Sequence, residues 1–469
     1  MAYPTILFNN GTGSDTLASG AGPATALTGT SASYSTTTVT LDGSPDLSGV
    51  ATDSSHVLFL ITSTGRKFFK ITATDNVAKT VTVHVAPTGT ASGLSWAIGG
   101  KRKTIGETNS RLLFSTDVLP GWTINLEDDQ PAVTSSVACS IAGDTTDGAI
   151  TLQGTGGRRL VTSATNNVSP LSGGLGYWIV KNLKFTSTAA TKTSSYGVLL
   201  NADGTAGSPV FFDSCIFGDA TNKLQIGVFR SATAQRQGVF TNCEVTSCIS
   251  HGITHAGGSN AGVRLAMNNC YIHDNGGSGV QVSFGSSTNT FVNCVIANNT
   301  STGIEVIGPS SNTTYQLISN CTIHNNGSDG ISINNATNFT SATIYANMIT
   351  KNGGYGINYS GSGVGDAIKG LINGNNYGNA SDSTANTSGS VNGFTAGAND
   401  QTIAAGYTNA AGGDYSIPAT LKAKGYPPSA SPIGVNSATY SYMDPGAAQR
   451  QEPAFIAPSG LIARNIGTY

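Results

Sequence analysis

Carboxylates, histidines and basic residues are the groups in this chain that could act on a substrate. Glu305 and Asp329 lie 24 residues apart, and Glu244 and Asp274 lie 30 apart. Hydrolysis of a glycosidic bond takes two carboxyl groups about 5 Å apart for retention, or about 6.5 to 9.5 Å apart for inversion with water between them. Either pair fits that chemistry only if the fold sets the two residues on neighbouring rungs; otherwise each is a solvated surface acid. Glu127-Asp128-Asp129 is the one acidic run, and Arg158-Arg159 follows about 30 residues later. Acids beside a basic residue suit a cation-assisted lyase, but charges at turns pairing across rungs explain the same residues. His251 and His255 have the i, i+4 spacing that holds zinc on a helix, yet they sit in short alternating runs, where that spacing means a strand.

The elements that would position these groups are legible as a repeat. Cys215, Cys243, Cys270, Cys294 and Cys321 are spaced 28, 27, 24 and 27 residues apart, and Asn347 takes the sixth place. Gly252, Gly279, Gly303, Gly330 and Gly356 step by 27, 24, 27 and 26, and Asn275, Asn299, Asn326 and Asn352 each follow the first column by five. Three columns with one period mean a repeat architecture. Each period holds short runs of alternating apolar and polar residues split by Gly, Asn and Ser, which is the strand pattern. Two or three strands per period describe one coil of a parallel β-helix, each coil stacked on the next at roughly 4.8 Å. The cysteines then pile up inside as small, reduced hydrophobes. The asparagines pile at a turn, where Asn tolerates left-handed backbone and its amide can bond the next Asn.

The repeat also ranks the chemistry. Counting from the glycines, Glu305 and Asp329 fall on adjacent coils at a separation of roughly 8 to 11 Å. Glu244 and Asp274 are a weaker pair of the same kind. His273 and His324 stand three residues after their columns and two coils apart, too far to share a metal, so polar stacking at the turn is the expectation. No metal and no cofactor is expected, and the catalytic residues stay unassigned.

Composition narrows the class. Charged residues are 10% of 469, Gly is 60, the net charge is −2 and 38% is hydrophobic. Disordered chains are usually highly charged and apolar-poor, so a periodic, weakly charged chain is expected to fold. The Lys101-Arg102-Lys103 run is too small for a nucleic-acid face and reads as a strand end. No apolar run reaches the length of a membrane helix. The start, Met1 to Phe8, lacks a charged leader with a long apolar segment, so the chain is expected to be made in a cytoplasm and to stay there or leave by another route. In order, residues 1–35 read as an extended arm, 36–105 as a small antiparallel β module, 106–380 as the parallel β-helix, and 381–469 as a C-terminal cap and extended tail. The expected class is all-β.

The coil phrases resemble the pectate-lyase-like superfamily of right-handed parallel β-helix proteins over roughly residues 110–380. Tyr442 to Gln449 looks like the closing segment that follows such helices. Gly11 to Thr16, Ala21 to Thr30 and Trp96 to Thr104 resemble the N-terminal part of tailed-bacteriophage β-helix proteins. That likeness implies a virion structural protein, a tailspike or head decoration, which is usually a homotrimer. Its partners would be other virion proteins of capsid or tail, and a host cell-surface glycan. The alternative it implies is a tailspike depolymerase, a glycoside hydrolase or polysaccharide lyase.

Overall fold

A computed structural model describes residues 5–8, 27–52, 56–62, 65–89, 91–99, 101–102, 105, 120–139, 141–144, 146–201, 208–231, 237–256, 263–283, 287–307, 315–334, 341–360, 372–378, 386–393, 396–397, 400–403, 407 and 409–415. Among them the chain is strand and turn, with one 3-10 turn at Ala410–Gly412 and no α-helix. The solenoid expected from the columns is present. Each coil passes through three parallel sheets of twelve, eight and ten strands, here called the first, second and third faces. One coil runs Val263–Asn268 on the first face, Tyr271–His273 on the second and Val280–Ser283 on the third. Strands stack without a register slip: Ile272, Ile296, Ile323 and Ile349 are successive partners. They point inward and are fully buried, in one core that runs from Trp122 to Tyr377.

Two sharp corners explain the columns. The residue before each stacked Cys is left-handed: Ser214, Asn242, Asn269, Asn293 and Asn320, then Ala346 before Asn347. At the second corner Ser247, Asp274, Asn298, Asn325 and Lys351 are left-handed. The expectation that the ladder asparagines themselves take that conformation is corrected: the bend falls one residue earlier, and this turns the following side chain inward. Asn275, Asn299, Asn326 and Asn352 are therefore buried and linked, each Nδ2 donating to the next Oδ1 at 2.9, 2.9, 2.9 and finally 2.8 Å to Asn386. A second, shorter ladder continues the cysteine column, with Asn347 Nδ2 donating to Asn375 Oδ1 at 2.9 Å.

All seven cysteines are free and buried. Cys243 Sγ, for example, lies 3.3 Å from Thr241 O and 3.5 Å from Phe212 O one coil below. Burial pushes the Cys248 thiol up to about 12 and raises Cys215, Cys270 and Cys321 well above the usual thiol range. Alkylation needs thiolate and access. Treating the native protein with a maleimide should modify none of the seven while full denaturation modifies all, counted by mass spectrometry. Labelling of Cys243, Cys270 or Cys294 in the native state would refute the interior stack.

The N-terminal module is a closed six-stranded barrel built from Leu27–Ser35, Thr38–Thr40, Val57–Thr62, Gly65–Asp75, Thr80–Val83 and Leu94–Gly99. Its core includes Leu58, Leu60, Phe69, Ile71 and Trp96. Leu27–Ser35, assigned to an extended arm from the sequence, is one of its strands. There the inward positions are Leu27 and Ala32, too small and too few to register as an apolar alternation. Thr5–Phe8 is likewise no surface arm but a parallel rung beside Thr123–Leu126, and Lys101–Arg102 is the end strand next to it. Phe59 and Phe68 join the solenoid core, with the Phe68 ring edge-on to Trp122 at 6.3 Å.

At the other end the coils continue past residue 380, because Gly389–Asn392 pairs with Tyr355–Tyr359 and Asn376 bridges to Gln401. The repeat fades there in sequence because the ladder step from Asn352 to Asn386 is 34 residues long. Residues 416–469, including the closing segment read at Tyr442 to Gln449, lie outside the described residues, as do 11–16 and most of 21–30.

Candidate functional site

The second face carries the group that gathers most chemistry. Glu244, Tyr271, Val295 and Thr322 form one outward column, and Thr246, His273, Ala297 and His324 the other. Alternation on short strands sends Ile272 inward and both neighbours outward. His273 then sits between the two acids of the weaker pair: Nε2 is 3.3 Å from Glu244 Oε1 and Nδ1 is 2.7 Å from Asp274 Oδ2. Tyr271 stacks on its ring with centroids 3.8 Å apart. Burial opposes charge on this imidazole, but the hydrogen bonds to Glu244 and Asp274 outweigh it and raise its proton affinity. The same contact to His273 lowers Glu244, against its own burial. Glu244 and Asp274 are thus brought together, not as two carboxyls facing a bond, but as two carboxylates flanking an imidazole whose charged form they favour.

His273 is raised when folded, so its contribution is complete below its unfolded value of about 6.5 and is lost as pH rises through the folded value. Glu244 is lowered, so its share is present above about 4.5 and lost as pH falls through its folded value. With Glu244 more than a third exposed, the pair contributes no more than about 1 kcal/mol. In an NMR titration, Glu244→Gln should move the His273 midpoint down towards 6.5; an unmoved midpoint would remove Glu244 from the cluster.

The stronger expected pair does not converge. Glu305 Oε2 turns towards the preceding coil, accepting from Ser278 Oγ at 2.8 Å and Gln281 Nε2 at 3.1 Å. Asp329 turns towards the following coil, accepting from Tyr355 N at 2.7 Å and Asn358 Nδ2 at 2.8 Å. They are on adjacent coils as expected, but each is held by donors on its far side. In the early coils Asp129 accepts from Leu160 N, while Arg158 and Arg159 donate to the carbonyls of Ser214 and Thr155. His255 is inward and buried, and His251 Nδ1 accepts from Ser278 N at 2.9 Å. His324 bonds Thr350 Oγ1 at 2.9 Å. Among the described residues no group of three or more His, Cys, Asp or Glu side chains is placed to hold a metal, and no helix is long and apolar enough to cross a membrane.

Sequence reasoning missed Tyr407 and Tyr415, which close over this face, and Arg230, a buried inward cation. The tyrosines lie beyond the repeat and have no column partners to betray them. Arg230 occupies a core position that its type argues against.

A family model described as a right-handed β-helix region matches residues 228–376. The solenoid is a right-handed parallel β-helix. No curated protein matches the sequence. Among solved structures, this β-helix is similar to pectate lyase Pel9A, at 13% identity over 73% of this chain and 94% of that one, with a TM-score of 0.42. It is also similar to the periplasmic alginate epimerase AlgG, at 15% identity over 62% and 78%, TM-score 0.31. The tailspike protein gp49 from Pseudomonas phage LKA1 aligns at 11% identity over 74% and 64%, TM-score 0.19. These likenesses are of fold; the β-helix supports many activities, and activity has to be argued from the site.

Proposed function

We propose that this chain is a virion structural protein of a tailed bacteriophage: a trimeric β-helix spike or capsid decoration, made in the host cytoplasm, that binds the host surface or cements the shell. The observation that carries the reading is that the outward acids serve the rod itself. Glu305 and Asp329 are each held by donors from neighbouring coils, and Glu244 and Asp274 are occupied by His273. What remains is a stiff, nearly neutral rod capped by a barrel, which suits a load-bearing part. The phage-like phrases of the opening supply the virion context. Labelling or imaging of intact particles should place the protein on their exterior, and its absence from purified particles would end the virion reading. Sedimentation should return three times the 47.6 kDa chain mass; a monomer would remove the trimer.

The second reading, a depolymerase of host surface polysaccharide, is favoured by one observation: Glu244, His273 and Asp274 converge beside the Tyr271 ring on one flank. Incubation with capsular or lipopolysaccharide glycans is expected to release nothing. Release of oligosaccharides that is lost in Glu244→Gln would replace the structural reading by the enzymatic one.

A further inference from the structure

The chain does not leave the rod at its last coil. Ile403 N donates to Asn376 Oδ1 at 2.8 Å, and Ile403 and Tyr407 pack on Met348. Tyr407 Oη is 2.9 Å from Thr350 Oγ1. The Tyr407 and Tyr415 rings meet His324 near perpendicular, with centroids at 4.9 and 5.6 Å, and each other at 5.4 Å. Tyr415 goes on to Tyr271 at 6.3 Å, and Asn298 Nδ2 reaches its Oη at 3.5 Å. Met348, His324, Ala297 and Tyr271 belong to four successive coils, so the segment runs backwards along the second face. Ala297 faces outward yet is fully buried, and its single methyl leaves height in the column between His273 and His324.

We propose that Tyr407 and residues 409–415 form a detachable strap over the second face, latched on uncharged His324 and released by acid. His324 is 5% exposed beneath the two tyrosines. Burial, helped by the positive charge of Lys351, holds it down to about 4. The titratable groups around it are Lys351, Tyr407 and Tyr415; Asp274 faces Tyr415 from the Tyr271 coil, and Asp414 is the strap's own acid. None of the contacts found for His324 among the described residues is a carboxylate, so a proton taken up there has no counter-charge. Between pH 6.5 and about 4, His324 takes up a proton when the strap is off that it does not hold when covered, so attachment weakens steadily as pH falls through that window. His273 does not share this role, because its flanking carboxylates already favour its charged form. The strap is a matter of this chain's own packing and stands apart from the virion reading.

The test is hydrogen exchange on the full chain from pH 7 to pH 4, corrected for the intrinsic pH dependence of exchange. The probes are the strap amides Asn409, Gly412 and Gly413, which donate within the strap, and the ladder amide Asn299 as the control for global unfolding. Strap protection should fall by at least about tenfold on acidification while Asn299 stays protected. His324→Phe, an aromatic of similar size that cannot take a proton, should keep the strap protected at pH 4. If that variant does not fold, Tyr407→Phe should move the release to higher pH by removing the Thr350 contact. Unchanged strap protection across the range, or release in His324→Phe at the wild-type pH, overturns the proposal.

Discussion

Replacing Asn299 by alanine is expected to destabilise the rod by about 2 to 6 kcal/mol, since each buried donor left without a partner costs about 1 to 3 kcal/mol. Asn299 Oδ1 accepts from both Asn275 N (3.2 Å) and Asn275 Nδ2 (2.9 Å), so the substitution orphans two donors at once. It also withdraws the bonds from Asn299 Nδ2 to Ile272 O and Asn326 Oδ1. Denaturant unfolding followed by circular dichroism would read the loss. Asn299→Asp separates the hydrogen bonds from the packing. A buried carboxyl keeps the acceptor and retains a donor only when protonated, and burial raises its proton affinity. Its folded state therefore holds a proton that the unfolded chain gives up, and the variant should gain stability relative to the wild type as pH falls. An alanine variant within about 0.5 kcal/mol of the wild type, the range of ordinary surface substitutions, would show that the ladder is decoration.

Gly303→Ala should also destabilise, by about 1 to 3 kcal/mol, the usual cost of overpacking. The sign is informative, because Gly to Ala in a compatible conformation stabilises by about 0.4 to 1 kcal/mol through the unfolded chain. Gly303 has no left-handed backbone to excuse it. A Cβ there would lie 2.6 Å from Gly330 O, 2.8 Å from Ile323 Cγ2 and 3.0 Å from the ladder amide of Asn326. Gly252, Gly279 and Gly330 meet the same wall one coil on. The glycine column is thus a clearance for the asparagine ladder and the next coil's backbone. A stabilised Gly303→Ala protein would mean that the coils are not packed at this distance.

Much of this architecture is legible in the sequence. The recurrence of Cys, Gly and Asn at one period implied stacked coils, because only stacking makes side chains one period apart into neighbours. It also put Glu305 and Asp329 on adjacent coils. Where the reading failed, the signal was local and small. Leu27–Ser35 carries its barrel alternation on Leu27 and Ala32, and Thr5–Phe8 pairs with a strand more than a hundred residues away. The left-handed corner residue was placed one position late, since sequence marks which residue is invariant in type and not which one bends.

The chain's own order of residues determined the solenoid, its buried thiol column and its asparagine turn, because those features repeat and every repeat reinforces the last. Tertiary structure alone decided which way each side chain turned and what covers the outer faces. It set Glu305 towards one coil and Asp329 towards the other, wedged His273 between Glu244 and Asp274, and laid Tyr407 and Tyr415 across four coils. A rotamer and a docking segment have no period, so nothing in the repeat could announce them.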